Sequence, residues 1–266
     1  MLQQGFQARL ALADIIDGIV RWPLWMKLGW NDILKRYRRS VLGPFWLTAS
    51  MGMMITVLGV LYANLFNTPV HDFLPYLCVG ILVWTLISSF LVEGGSLFAS
   101  AESFIKQVRL PFSIYVYQST WSKLIIFAHN LIIYGAVLAY FRIWPGAAAL
   151  LAIPGLVLVL FNGAVASLSI GVVSARFRDI PQFINSIVQI LFFVTPVMWH
   201  PDLLREHRLF LDLNPFYHLL ELVRQPLLGR APTIENYLVA SLLSVVNLAL
   251  AGAIFVRFRS RIAYWV

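Results

Sequence analysis

Four cations within five residues, Lys35, Arg36, Arg38 and Arg39, form the densest charge in this 266-residue chain, with Gly43 and Pro44 close behind. Forked guanidinium groups bind phosphate oxygens in pairs. Such a cluster suits a phosphate-bearing partner as well as simple anchoring at a lipid surface. A second charged pair, Glu221 and Arg224, lies one helical turn apart in an otherwise apolar stretch, where internal pairing is the default. His200, His207 and His218 share a segment with Asp202, Glu206 and Asp212, but their spacing matches no standard metal-ligand pattern. The chain contains no GxxxxGK(S/T) phosphate loop, no HExxH and no GxSxG. The chemistry those motifs carry is therefore excluded. Cys78 is the single cysteine, so neither an intrachain disulfide nor a multi-cysteine metal site can form.

The elements that must position these residues are apolar. The chain is 60% hydrophobic and 12% charged, with mean hydropathy +0.78, far outside the range of a soluble domain. Six runs lack any Asp, Glu, Lys or Arg: Ser40–His71, Phe73–Val92, Leu124–Phe141, Ile143–Ala175, Ile180–Pro201 and Asn236–Val256. Each reaches about the 18–20 helical residues that cross a hydrocarbon core of about 30 Å. The expected fold is an all-α polytopic membrane protein with six transmembrane helices.

With the N-terminus placed in the cytoplasm, 15 of the 20 Lys and Arg residues fall on the inside of such a six-span chain and five outside. That bias fixes both termini as cytoplasmic and explains the net charge of +8 without nucleic acid. Asp14 and Asp17 interrupt any apolar core of a secretory signal. From about Ala8 to Lys27, Asp14, Asp17 and Arg21 recur on one helical face opposite Leu12, Ile15, Ile16 and Ile19, and Trp22, Trp25 and Trp30 follow. This predicts an amphipathic helix in the cytoplasmic interface. Asn31 is placed as the cap of a further short helix.

Between the second and third spans, Ser103–Val108 predicts a short helix, and Pro111 restarts the chain. Ala175–Phe183 joins the fourth and fifth spans, whose outer end Pro196 kinks or terminates. Glu93 stands near the end of a span, and Lys123 close to an interface where it can snorkel. In the external segment before the last span, Asn214 is an N-cap, Pro215 suits the first helical position and Gly229 the C-terminal stop. The helix between them is too short to span and has a re-entrant character. The whole of residues 1–266 reads as one transmembrane domain: an interface and coupling segment (1–42), a six-span core (43–256) and a cytoplasmic tail (257–266).

Three segments in register carry a resemblance. Arg36–Trp46 resembles the approach to the first span of the ABC-2-type polysaccharide exporters, the permeases of O-antigen, capsule and teichoic-acid transport. Arg176–Ile180 resembles their loop between spans four and five. Asn214–His218 through Glu221, Arg224 and Gly229 resembles their external helix. The resemblance covers nearly the whole chain and is closest to the O-antigen type.

It implies a permease that is not itself an enzyme and has no cofactor of its own, set in the bacterial inner membrane as a homodimer. Two cytoplasmic ATPase subunits would bind the ATP and magnesium. The implied cargo is a polysaccharide on undecaprenyl pyrophosphate, with Arg36, Arg38 and Arg39 beside Gly43 recognising the pyrophosphate. The implied ATPase contacts are Glu102, Lys106 and Arg109 together with Arg176, Arg178 and Asp179. Aromatic faces stack on sugars, which makes Phe192, Phe193, Trp46 and Trp84 conduit candidates, and Asn214, Pro215, Tyr217, Glu221 and Arg224 form an external gate helix. The alternatives are capsule or teichoic-acid export, a drug or small-lipid cargo for the same architecture, and a membrane enzyme acting on lipid-linked sugars.

Overall fold

A computed structural model describes residues 2–37 and 45–266, the side chains of residues 2–4, 36, 37, 45, 47 and 205 excepted. Two helices open the chain, α1 (Leu2–Val20) and α2 (Trp22–Tyr37). The expected single helix over residues 8–27 is thus two, parted at Arg21 with Pro23 in the first turn of the second, where its missing N–H costs nothing. Asn31 does not cap a helix but lies inside α2. The helix continues because Ile33 is buried and Gly29 lies flush against the backbone of Gln118.

The long apolar helices follow: α3 (Phe45–Leu65), α4 (Val70–Gly94), α6 (Ser113–Phe141), α7 (Ala152–Arg176) and α11 (Ile234–Phe258). Among the described residues these five are long and apolar enough to cross a membrane, α7 together with the 3₁₀ turn Gly146–Leu151 before it. The short helix α5 (Glu102–Gln107) lies between α4 and α6, close to the expected 103–108. The sixth apolar helix, α8 (Ile180–Val194), has only 15 residues, about 22 Å. It stops at Thr195-Pro196, where Pro196 cannot continue the hydrogen-bond ladder. Beyond it come a 3₁₀ segment (Pro201–His207), α9 (Leu209–Asp212) and α10 (Pro215–Leu227), and α12 (Ile262–Trp265) ends the chain.

Helix α4 is the axis of the bundle. Every residue from Phe73 to Trp84 is buried, because α3, α6, α7, α8 and α10 all pack on it. A second, smaller core joins Ala11 of α1, Phe98 and Ala101 after α4, Val116 of α6, Ala175 of α7 and Ile262 of α12. The two terminal segments therefore meet at one end of the bundle, called here the terminal end. The opposite, distal end is closed by α10, which touches α4, α7 and α11.

Candidate functional site

At the terminal end, Glu102 and Lys106 of α5 pair at 2.5 Å. That hydrogen bond, reinforced by the charge of Arg178, holds the Glu102 carboxyl below the usual carboxylate range. The two segments expected to contact the ATPase, Glu102–Leu110 and Arg176–Asp179, therefore share one electrostatic patch. Lys106, Arg109, Arg176, Arg178 and Asp179 are all exposed, and so are the apolar side chains of Phe104, Val108 and Phe177 between them. Sequence reasoning missed a third contributor, the C-terminal helix α12. It packs on α5 and α7, and its Trp265 ring lies 5.3 Å from the Arg176 guanidinium.

Arg38, Arg39, Gly43 and the side chain of Arg36 lie outside the described residues. The sequence expectation for Lys123 is corrected. Helix α6 begins at Ser113, well before the charge-free run, so Lys123 sits inside the helix and does not snorkel. Its ammonium is buried, 2.8 Å from Glu93 of α4 and 2.5 Å from Ser119. The pair bridges α4 and α6.

Helix α8 packs on one side only. Ile184, Val188, Leu191 and Phe192 face α4 and α7, and Val188 alone is fully buried. Gln182, Asn185, Ser186 and Gln189 are all exposed. Their i, i+3, i+4, i+7 spacing puts them on a single stripe at 100° per residue, and Phe193, 70% exposed, extends the stripe. Phe183, Ile187, Ile190 and Val194 form a separate exposed apolar face. The helix thus presents three faces: one to the bundle, one apolar and one polar. The stripe follows from helical periodicity alone, so sequence reasoning had the signal within reach and missed it.

Of the four aromatic conduit candidates, the structure brings three together. Trp84 is buried, with the Phe192 ring 5.9 Å away and Phe216 of α10 at 6.2 Å, and Phe193 stands edge-on to Phe192 at 5.4 Å. Trp46, 62% exposed at the start of α3, does not join them.

At the distal end, α10 is built as its sequence predicts. Asn214 Oδ1 accepts from the amides of Phe216 and Tyr217, Pro215 occupies the first position, and Gly229 turns the chain with φ +80°. Asn214 Nδ2 also donates to Thr195 Oγ1 at 3.0 Å, which ties the cap to the exit of α8. Glu221 and Arg224 form a buried ion pair. Arg224 further donates to the Pro196 carbonyl at 2.7 Å and lies 4.1 Å from the Tyr76 ring centre. Tyr76 donates to the Trp199 carbonyl at 2.9 Å, and His200 stacks on its ring at 4.0 Å. One guanidinium thereby fastens α10, α4 and the unwound segment after α8. Tyr217 packs edge-on against His218, whose ring lies between the Asn236 side chain and the Asp212 carbonyl.

Of the three loop histidines, His218 thus belongs to helix packing, while His200 stacks on Tyr76 and His207 lies beside Phe210. They share no centre. Among the described residues no group of three His, Cys, Asp or Glu is placed to hold a metal ion.

Residues 23–228 match the family model described as ABC-2 type transporter. The chain is 25% identical over 247 residues to the O-antigen export system permease protein RfbA of Myxococcus xanthus, covering 90% of this chain and 94% of that one. It is 20% identical over 235 residues to the protein of the same name in Klebsiella pneumoniae, covering 86% and 90%. The apolar helices and the family match make it a multi-pass inner-membrane protein. With a match over most of its length, and with short helices closing both ends of an apolar bundle, the chain belongs to the ABC-2 type transporter family.

Proposed function

We propose that this chain is the permease subunit of an ATP-driven exporter that moves O-antigen-type polysaccharide, carried on undecaprenyl pyrophosphate, out of the cytoplasm. The observation that carries the reading is the polar stripe of α8. A membrane helix with Gln182, Asn185, Ser186 and Gln189 exposed along one face must give that face water or another protein surface, because lipid leaves the amides unsatisfied. A homodimer that sets two such stripes around a common axis supplies a hydrated conduit. Phe193 extends the stripe and offers a ring for sugars to slide over.

Six crossings fit this arrangement. Pro181, at the start of α8, lies against Gly95, just past the end of α4, and Val197, just past the end of α8, lies against Gly80 of α4. The helix therefore accompanies about 22 Å of α4. The extended segment to His200 then reaches Tyr76 and Phe73 near the distal end of α4. Two terminal segments at one end of the bundle call for an even number of crossings, and the basic residues orient that end to the cytoplasm.

The two ATPase subunits dock on α5, Arg176–Asp179 and α12, where exposed charges surround Phe104 and Phe177. ATP and magnesium belong to those partners. Arg36, Arg38 and Arg39 beside Gly43 seat the pyrophosphate at the inner leaflet, and α10, fastened by Arg224, closes the outer mouth. The relatives named as O-antigen export permeases support the cargo.

The test is export of polysaccharide by cells in which the chain is replaced by the Gln182→Leu, Asn185→Leu, Gln189→Leu triple variant. The protein is expected to reach the membrane and retain its ATPase partner while export is lost. Unchanged export would overturn the conduit assignment. Export that persists without any ATPase subunit would overturn the reading as a whole.

A further inference from the structure

Between α2, the α4–α5 connection and the first turns of α6 the chain leaves a half-open cleft of about 400 Å³, within the roughly 300–1,000 Å³ of small-molecule sites. Its mouth carries Asp32 and Lys35 of α2, both exposed, and its floor carries Glu93, Tyr115, Ser119 and Ser122.

Three features point to an absent ligand. Tyr115 is 5% exposed, yet its hydroxyl has no hydrogen-bond partner among the described residues. Such a buried orphan is costly. Asp32 and Lys35 have opposite charges one helical turn apart, the spacing at which such side chains normally pair, but no ion pair joins them. Asp32 instead accepts from Gln118 Nε2 through Oδ2 alone, at 2.5 Å. Lys35 contacts no acid among the described residues. The cleft therefore offers separate positive and negative contacts, with a hydroxyl beneath them.

We infer that this cleft binds the headgroup of a zwitterionic phospholipid bearing a primary amine. The ammonium sits at Asp32, the phosphate at Lys35, and the Tyr115 hydroxyl donates to a phosphate oxygen. Depth supports a lipid as the source. Trp22, Trp30 and Leu34 are each more than half exposed on α2, the pattern of a helix lying at headgroup level. Leu28, Phe104 and Leu110 at the rim suit the first acyl methylenes. A phosphatidylglycerol headgroup lacks the cation for Asp32, and a choline headgroup lacks the N–H donors that a carboxylate accepts. The inference rests on the membrane reading of the chain but not on its cargo. The lipid would stiffen the joint between α2 and α6 rather than be transported.

Native mass spectrometry of the full chain in neutral detergent tests this, with added dioleoyl phosphatidylethanolamine, phosphatidylcholine, phosphatidylglycerol or soluble O-phosphoethanolamine. Retention of the ethanolamine lipid is expected to exceed that of the other two about tenfold, the worth of one charge-assisted hydrogen bond. Asp32→Asn and Lys35→Gln should each erase that preference, and Tyr115→Phe should weaken it severalfold. Equal retention of all three lipids, or a preference that survives Asp32→Asn with Lys35→Gln, would overturn the inference. Binding of soluble phosphoethanolamine as strong as that of the lipid would overturn the lipid as its source. Should Asp32→Asn unfold the chain by releasing Gln118, Lys35→Gln carries the test alone. Lipid retention needs neither ATPase nor polysaccharide, so its failure is distinguishable from failure of the export reading.

Discussion

Asp14 and Arg259, 245 residues apart, meet at 2.7 Å at the terminal end of the bundle. The Asp14 carboxylate is wholly buried and also accepts from the amides of Phe112 and Ser113 at 3.1 and 3.0 Å. A residue of the first helix therefore caps α6, whose own N-cap position, Phe112, has no side chain able to do so. It also pins the C-terminal tail. One carboxylate joins α1, α6 and the end of α11.

Replacing Asp14 by Ala should be among the most damaging single changes outside the main core. It orphans two amides and leaves Arg259 without its partner, a loss of about 3 kcal/mol by analogy with broken buried pairs. Arg259→Gln should cost less, about 2 kcal/mol, because the buried Asp14 carboxylate keeps its two amide donors and loses one charge-assisted hydrogen bond. Thermal unfolding in detergent of the two variants and their combination checks both the order and the coupling.

At Gly155 the backbones of α7 and α10 lie close together. A Cβ there would lie 2.2 Å from the Leu222 carbonyl oxygen and 2.7 Å from its carbon. Gly155→Ala should therefore push α10 off the bundle and cost about 3 kcal/mol, the upper range of overpacking. Gly135→Ala on α6, with nothing within 4 Å, should change stability by no more than about 1 kcal/mol. The contrast in melting temperature separates close packing from helix propensity.

Glu221→Gln should loosen the distal closure. Arg224 would keep its buried charge without its carboxylate, at a cost of about 3–5 kcal/mol. The bond from Arg224 to the Pro196 carbonyl should weaken with it. Hydrogen exchange is expected to accelerate at the amides following α8, Thr195 and Val197 to Trp199. Exchange unchanged there would show that Arg224 does not hold that segment.

The distal helix was legible in the sequence because everything that makes it lies within one or two turns. Asn214, Pro215 and Gly229 act on backbone groups two or three residues away, and Glu221 reaches Arg224 across a single turn. The break at Pro196 was legible for the same reason. Lys123 was not, because an isolated lysine near a span end reads as a snorkelling residue. Only the crossing of α4 and α6 brings Glu93, 30 residues away, to its ammonium. Asn31 misled because a good capping residue is also tolerated inside a helix when tertiary packing, here Ile33 and Gly29 on α6, carries the helix onward.

By itself the sequence determined where this chain is apolar enough to lie in a membrane, which end of it is basic, and how its short helices start and stop. These properties depend on composition and on neighbours within about one helical turn. The tertiary structure decided which helix lies at the centre, which faces of α8 are left open, and which polar groups are satisfied across the bundle. Those outcomes rest on helix register and on the close backbone approaches that glycines such as Gly80 and Gly155 allow. No local periodicity records that two residues 245 positions apart will share one buried carboxylate.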